Sequence, residues 1–328
     1  MSVRIAVVTG AIAAAAIAGA DQVPKGYRQA VPRGLIASID NPRFVRAGEA
    51  RIPDEAWVLG VVVEGQARAY SLNLLNRHEV VNDRAADGTA FAVVWCPLAN
   101  AGVVYGRSYQ GRELRFEASG GLVNAALVMR DKETGSYWPI ISGAAATGPL
   151  AGTRLEDLPR SVKAQWRDWL RAHPDTLVLS VRGVEHVRDD PYAQYFSSRL
   201  GFGNLAALDR RLPTKEPVWA FEHAGERFAI PHRAIEGGGT LALGDLWLFF
   251  HRPPGASIFL STRALASKGR FVFQDGAWVH EPTGAVFDAE RGVFQGSAAG
   301  IELLAGFDTF WYVWSLTHPD TELLGPVS

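Results

Sequence analysis

Cys96 is the only cysteine among the 328 residues, and it closes the apolar run Phe91-Ala92-Val93-Val94-Trp95 immediately before Pro97. A lone thiol has no disulfide partner in its own chain, so it serves either as a small buried core residue or as a reactive centre. The richest polar cluster nearby is Leu75-Asn76-Arg77-His78-Glu79-Val80-Val81-Asn82-Asp83, one turn before the Cys96 run. An imidazole close to a thiol lowers the thiol pKa and makes the sulfur a nucleophile or a soft-metal ligand. Cys96 and His78 are therefore the candidate catalytic pair, and equally a candidate metal pair for copper or zinc. Glu79, Asn82 or Asp83 would orient the ring, and Asn100, four residues after the thiol, joins them as a supporting residue. The plainer reading makes Cys96 an inert core thiol and the polar run a turn between two strands.

Other chemistry is weaker in the sequence. Asp189-Asp190 offers oxygen ligands, but no calcium-loop spacing follows it. Ser119-Gly120-Gly121 lacks a following lysine at P-loop spacing. Neither a Gly-x-Ser-x-Gly elbow nor a His-Glu-x-x-His helix occurs. With 33 basic and 34 acidic side chains, a net charge of −1 and no block of like charge, neither nucleic acid nor an anionic membrane surface is an expected partner. One cysteine and two methionines argue against a disulfide framework and against a methionine-rich metal carrier.

The elements that must position these residues come in two copies. The stretch from Ile52 to Leu75 aligns without a gap on Leu212 to Ile235, with a turn glycine, Gly65 or Gly225, in each. Thr134-Gly135 corresponds to Thr283-Gly284, and His173-Pro174-Asp175-Thr176 recurs as His318-Pro319-Asp320-Thr321. Before each of these, Trp166 and Trp169 fall on Trp311 and Trp314, on one face of a helix, and read as core anchors. His173 and His318 read as helix-end residues rather than catalysts. In this alignment Cys96 falls on Phe250 and His78 on the Gly237-Gly238-Gly239 region, so the second copy carries neither side chain.

Alternation and turn residues predict strands over 58–64, 67–70, 91–96, 102–105, 113–118 and 125–130, with helices over 71–76 and 161–172. The second copy repeats this with strands near 218–222, 227–230, 246–251, 257–260 and 270–274. The expected fold class is α+β, β-dominated, built from two tandem pseudo-symmetric repeats of one unit. Residues 1–20, with Arg4 before an alanine-rich apolar stretch and Ala18-Gly19-Ala20 after it, read as a cleaved secretory signal. The expected divisions are 1–20 signal, 21–50 N-terminal extension, 51–182 first repeat, 183–211 connecting segment and 212–328 second repeat. No later segment has the apolar length of a membrane span. The expected location is outside the cytoplasm, periplasmic or extracellular.

The string Cys96-Pro97-Leu98-Ala99-Asn100-Ala101-Gly102-Val103-Val104-Tyr105-Gly106-Arg107 is followed by Phe116, Ser119-Gly120-Gly121-Leu122, Asn124, Leu127-Val128-Met129, Asp131 and Thr134-Gly135-Ser136-Tyr137-Trp138. Together with His78 to Asp83, Gly148-Pro149-Leu150, Asp190-Pro191-Tyr192 and Tyr195, it resembles the domain of unknown function 3179 family. The resemblance implies an exported or membrane-tethered protein and supplies no reaction. Many members look like Cys-Pro-Leu-Cys-Asn at this point, whereas Ala99 stands where the second cysteine would be. A dithiol redox cycle within the chain is thereby excluded, leaving a mixed Cys/His site or a single thiolate. The competing reading is a non-catalytic binding or scaffold module of the cell envelope, with an unknown ligand.

Overall fold

Each half of the chain opens with an apolar hairpin whose partners come from far along the sequence. In the computed structural model, which describes residues 22–156 and 161–325, Trp57–Val63 pairs antiparallel with Gln66–Ser71 around the left-handed Glu64 and Gly65. The signal read at 1–20 lies outside the described residues. The run Val58-Leu59-Gly60-Val61-Val62-Val63 is continuous rather than alternating because both of its faces are covered. Val58 packs with Trp166 and Trp169 on one side, and Leu59 and Val61 with Tyr70 and Trp95 on the other. Gly60 has no side chain because a Cβ there would overlap the Trp169 ring.

The strand Ser161–Gln165 joins this hairpin antiparallel at Trp57–Val63, and Leu177–Ser180 joins it parallel at Gln66–Ser71. The second half arranges its own hairpin, Pro217–His223 with Glu226–Pro231, in the same order and sense. Phe307–Phe310 is antiparallel on one side and Glu322–Leu323 parallel on the other. In each half one short helix, Trp166–Ala172 or Trp311–Thr317, links in sequence the two strands that flank the hairpin. Its tryptophans are buried, and His173 and His318 cap the helices while packing tilted against Trp169 and Trp314 with ring centroids 4.1 and 4.3 Å apart.

A further sheet runs in the order Ile39–Asp40, Val80–Arg84, Ala90–Cys96, Ala101–Gly106. Among the described residues strands dominate and none of the four α-helices exceeds seven residues, so the β-dominated α+β class holds. The segment expected as an N-terminal extension supplies edges to three sheets. Arg28–Gln29 lies on Phe116–Val123, Ile39–Asp40 on Val80–Arg84, and Arg43–Arg46 on Leu177–Ser180.

Three expectations are corrected. The helix expected over 161–172 is a strand up to Gln165, because Val162 and Ala164 pack with Val58 in the sheet, and the helix starts only at Trp166. No strand forms over 257–260; those residues turn, and the strand is Arg263–Ser267, paired with Leu246–His251. The strand expected over 113–118 is interrupted. Arg112–Glu113 is a short hairpin edge, and Phe116–Val123 begins after it.

The largest core crosses the boundary between the halves. Val94, Cys96, Ala101 and Val103 pack in one cluster with Val218, Ala220 and Phe310 to Trp314. Removing either half would expose this apolar surface at a cost of roughly 25 cal/mol per Å². The intact protein is therefore expected to unfold in one cooperative transition, and residues 212–328 alone are expected to lack a sigmoidal melt by circular dichroism. Two well-separated transitions in calorimetry would contradict this reading of the core.

Candidate functional site

Cys96 ends the strand Ala90–Cys96, whose side chains alternate between two cores. Ala92, Val94 and Cys96 face the shared core, while Phe91, Val93 and Trp95 face the other. The chain then turns through Pro97, Leu98 and Ala99 to Asn100, which sits at φ 53 and is fully buried. This turn is gripped by its carbonyls. The Leu98 oxygen lies 2.5 Å from the Tyr195 hydroxyl and 3.1 Å from that of Tyr312, and the two phenols are 2.9 Å apart. The Ala99 oxygen accepts from the Thr309 hydroxyl at 2.9 Å and from the Phe310 N–H at 3.2 Å. The Asn100 oxygen accepts from the buried Lys163 ammonium at 2.7 Å, and the Asn100 amide donates to the Ile258 carbonyl at 2.9 Å. Asn100, expected as a supporting residue, is thus the anchor of the turn.

The thiol is 1% exposed. Burial, with a smaller push from the nearby Glu79 carboxyl, raises it to about 12 against the pull of the backbone N–H groups of Leu127, Ala99 and Leu98. The Leu127 N–H lies 3.4 Å from Sγ. At pH 8 the thiolate fraction is then about one part in ten thousand. The sulfur of the resting protein is a neutral thiol.

His78 is not brought to the thiol. The ladder from Val80 opposite Val94 would set residue 78 opposite residue 96 if the strand continued. It ends at Glu79, whose φ of 57 is left-handed, a conformation that costs a non-glycine residue about 1–3 kcal/mol. The His78 Nδ1 instead lies 2.8 Å from the Ala37 carbonyl, and among the described residues the ring makes no hydrogen bond to Cys96. The break in alternation lets the Glu79 carboxyl sit on the Cys96 side.

Glu79 is 6% exposed, and burial raises its carboxyl to about 8. It is the one buried carboxyl among the described residues with no side-chain hydrogen bond or ion pair. Asp83 has Arg68 and Tyr70; Asp131 has Thr134 and Trp138; Glu185 has Ser180; Asp308 has His232 and Thr262. Over the thiol and Glu79 lies the connecting segment. Tyr192, Tyr195 and Phe196 pack against the shared core. The Tyr192 phenol is raised by burial and by the charges of Glu79 and Cys96. Asp190 holds this cover by accepting from the Asn76 amide at 3.0 Å and from the Tyr192 N–H at 2.9 Å.

The remaining expected residues are structural. Asn82 donates to Asp40 at 2.7 Å and to the Phe116 carbonyl at 2.8 Å, and accepts from the Phe116 N–H, stitching three strands together. Asp83 points into the opposite core, where Arg68 and Tyr70 hold it. Ser119-Gly120-Gly121 lies inside a bulged strand, with Gly121 packed so closely on Tyr27 that a Cβ would overlap the ring. Asp189 pairs with Arg77 at 3.0 Å.

Sequence reasoning gave no role to Tyr192, Tyr195, Tyr312, Lys163 or Asp308. Tyr192 and Tyr195 stand in motifs already quoted, which was the available signal; a lysine in an alternating strand carries none. Lys163 is wholly buried and lowered to about 8 by desolvation, against the pull of Asp308. Burial opposes ionisation of Asp308, yet its donor His232 at 2.8 Å and the cations Lys163 and Arg252 hold it well below the usual carboxylate range. His232 is itself lowered by burial, so it is a neutral imidazole donating from Nε2.

Among the described residues no group of three or more His, Cys, Asp or Glu side chains converges to hold a metal ion. Cys96 and His78 therefore do not supply a three- or four-donor copper or zinc set. A separate cleft of about 120 Å³ between the halves is lined by Tyr105, Arg154, Glu222 and Trp314 and does not include Cys96.

Fold and site together define a β-dominated α+β protein with a covered, neutral thiol beside a protonated carboxyl. The chain belongs to the family described as Protein of unknown function (DUF3179), whose model matches residues 33–321. No curated protein and no solved structure matches it.

The Glu79 shift fixes a pH dependence. Below about 4.5 both folded and unfolded states hold the proton. Between 4.5 and about 8 the unfolded state ionises while the native state does not, so stability falls as pH rises, by a few kcal/mol in all. Glu79→Gln removes this, so its melting temperature is expected to exceed the wild type by a margin that is small at pH 4.5 and grows to pH 8. A margin that stays constant with pH would show that the carboxyl is not held protonated.

Proposed function

We propose that the protein is an exported binding module of the cell envelope whose ligand site is the covered space around Cys96 and Glu79. One observation carries this reading: a strained, buried carboxyl with no side-chain partner stands beside a buried thiol. Backbone strain and desolvation of an ionisable group each cost stability, and they persist where function requires them. Burial raises both Glu79 and Cys96, and among the described residues neither side chain makes an ion pair. Two neutral donors suit a ligand that accepts hydrogen bonds. The cover 190–196 would regulate entry, since Asp190, Tyr192 and Tyr195 tie it to the loop of Asn76 and to the Leu98 carbonyl.

Thiolate chemistry is the second reading, and the N–H groups of Leu98, Ala99 and Leu127 around the sulfur favour it. Lifting the cover would reduce the desolvation that now dominates, and those donors would then support an anion. His78 enters neither reading, because its ring faces Ala37. We also infer that the two halves descend from one duplicated unit. The matching strand order and sense, together with the repeated Trp-His contacts, support this.

Alkylation kinetics separate the two readings. With a neutral covered thiol, iodoacetamide is expected to label Cys96 of the native protein at least about a thousandfold slower than after unfolding. Labelling at a comparable rate in both states, with a midpoint near neutral pH, would replace the binding reading by the thiolate one. Export is checked by fractionating cells that express the full chain: the protein is expected outside the cytoplasm and shortened near residue 20.

A further inference from the structure

Eleven large apolar side chains are exposed among the described residues, and four of them, Leu200, Phe202, Leu205 and Leu208, fall within nine consecutive residues. Leu208 is 82% exposed and Phe202 41%. Of the rest, Phe273, Val286 and Val293 lie on one sheet, and Val23, Leu35, Val184 and Leu303 stand apart. The cluster from Leu200 to Leu208 lies on the loop that leads into the second half, and the loop is not slack. Gly201 N–H donates to the Leu205 carbonyl at 2.8 Å, Phe202 N–H reaches the Tyr312 hydroxyl at 3.3 Å, and Ala207 N–H donates to Thr214 at 3.1 Å. Gly201 packs so closely on the Tyr312 ring that a Cβ would overlap it. The fold therefore holds these side chains out in water at the cost of their hydration.

Two features indicate what covers them. Arg199 and Arg210 flank the apolar residues, both exposed and without an ion pair among the described residues. The only acid between them, Asp209, is already bound by Arg211 at 2.7 Å. Against the loop lies an open cleft of about 480 Å³, lined by Ala206, Ala207, Arg210, Arg211 and Leu212. Four exposed apolar side chains flanked by two arginines without an ion pair, beside a cleft that Arg210 helps to line, match a phospholipid surface. The aliphatic and aromatic tips enter the headgroup boundary, and the guanidinium groups meet phosphate.

We propose that residues 199–211 form a docking site for an anionic phospholipid bilayer. The proposal rests on exposure, charge and the cleft, and is independent of the Cys96 reading.

An environment-sensitive dye on Leu205→Cys in the full chain tests it locally, because Cys96 is buried and the position is exposed. Vesicles containing phosphatidylglycerol are expected to shift the dye emission to the blue. The apparent affinity should fall about tenfold when Arg199 and Arg210 are changed to Glu, and similarly with Phe202→Ser and Leu208→Ser together. All four side chains are exposed, so circular dichroism should be unchanged. An unshifted dye on every vesicle, or an equal shift on phosphatidylcholine, would overturn the proposal. So would a shift produced by inorganic phosphate alone, or one that appears without lipid as protein concentration rises, which would identify the face as a contact between copies.

Discussion

The turn after Cys96 is held by its carbonyls, and much of the molecule is arranged to hold it. Three successive oxygens, of Leu98, Ala99 and Asn100, accept from donors on three separate stretches: Tyr195, then Thr309 with Phe310 and Tyr312, then Lys163. A buried carbonyl without a donor costs about 1–3 kcal/mol, so each anchoring segment is under pressure to keep its position. The bonds from Thr309, Phe310 and Tyr312 cross the same boundary as the shared apolar core, while Tyr195 and Lys163 bring the connecting segment and the strand Ser161–Gln165 to the same turn. Hydrophobic area holds the halves together, and the carbonyl contacts fix their register at one point.

Burial then sets the charge states. Asp308 and Glu79 are both carboxyls deep in the protein, and they respond in opposite directions because their neighbours differ. Asp308 has His232, Lys163 and Arg252 around it and stays ionised, whereas Glu79 has only a thiol and a phenol nearby and keeps its proton. The first is a structural ion cluster that ties Lys163 beneath the Asn100 turn to the second half. The second is a desolvated carboxyl with no side-chain hydrogen bond or ion pair among the described residues, which makes it the functional candidate.

Much of the fold was legible because apolar pattern and turn residues act locally. The hairpin at 57–71, the tryptophan helices and the histidines that end them follow from periodicity and from proline placement. The strand Ser161–Gln165 was misread as helix because its identity depends on pairing with Trp57–Val63, a hundred residues away. The partner of Cys96 was misread for a similar reason. Continuous strand geometry would set His78 opposite the thiol, and a single left-handed residue at Glu79 ends that register. A positive φ at glutamate leaves no mark in the sequence.

By itself the sequence determined the location of the thiol at a strand end, the presence of a single cysteine, the β-dominated class and the family, since all of these depend on residue type and near neighbours. Tertiary structure alone decided that the thiol is neutral, that Glu79 rather than His78 shares its space, and that tyrosines from the connecting segment and the last helix close over it. Desolvation and hydrogen-bond partnership are properties of three-dimensional surroundings, and here those surroundings come from residues up to about two hundred positions away.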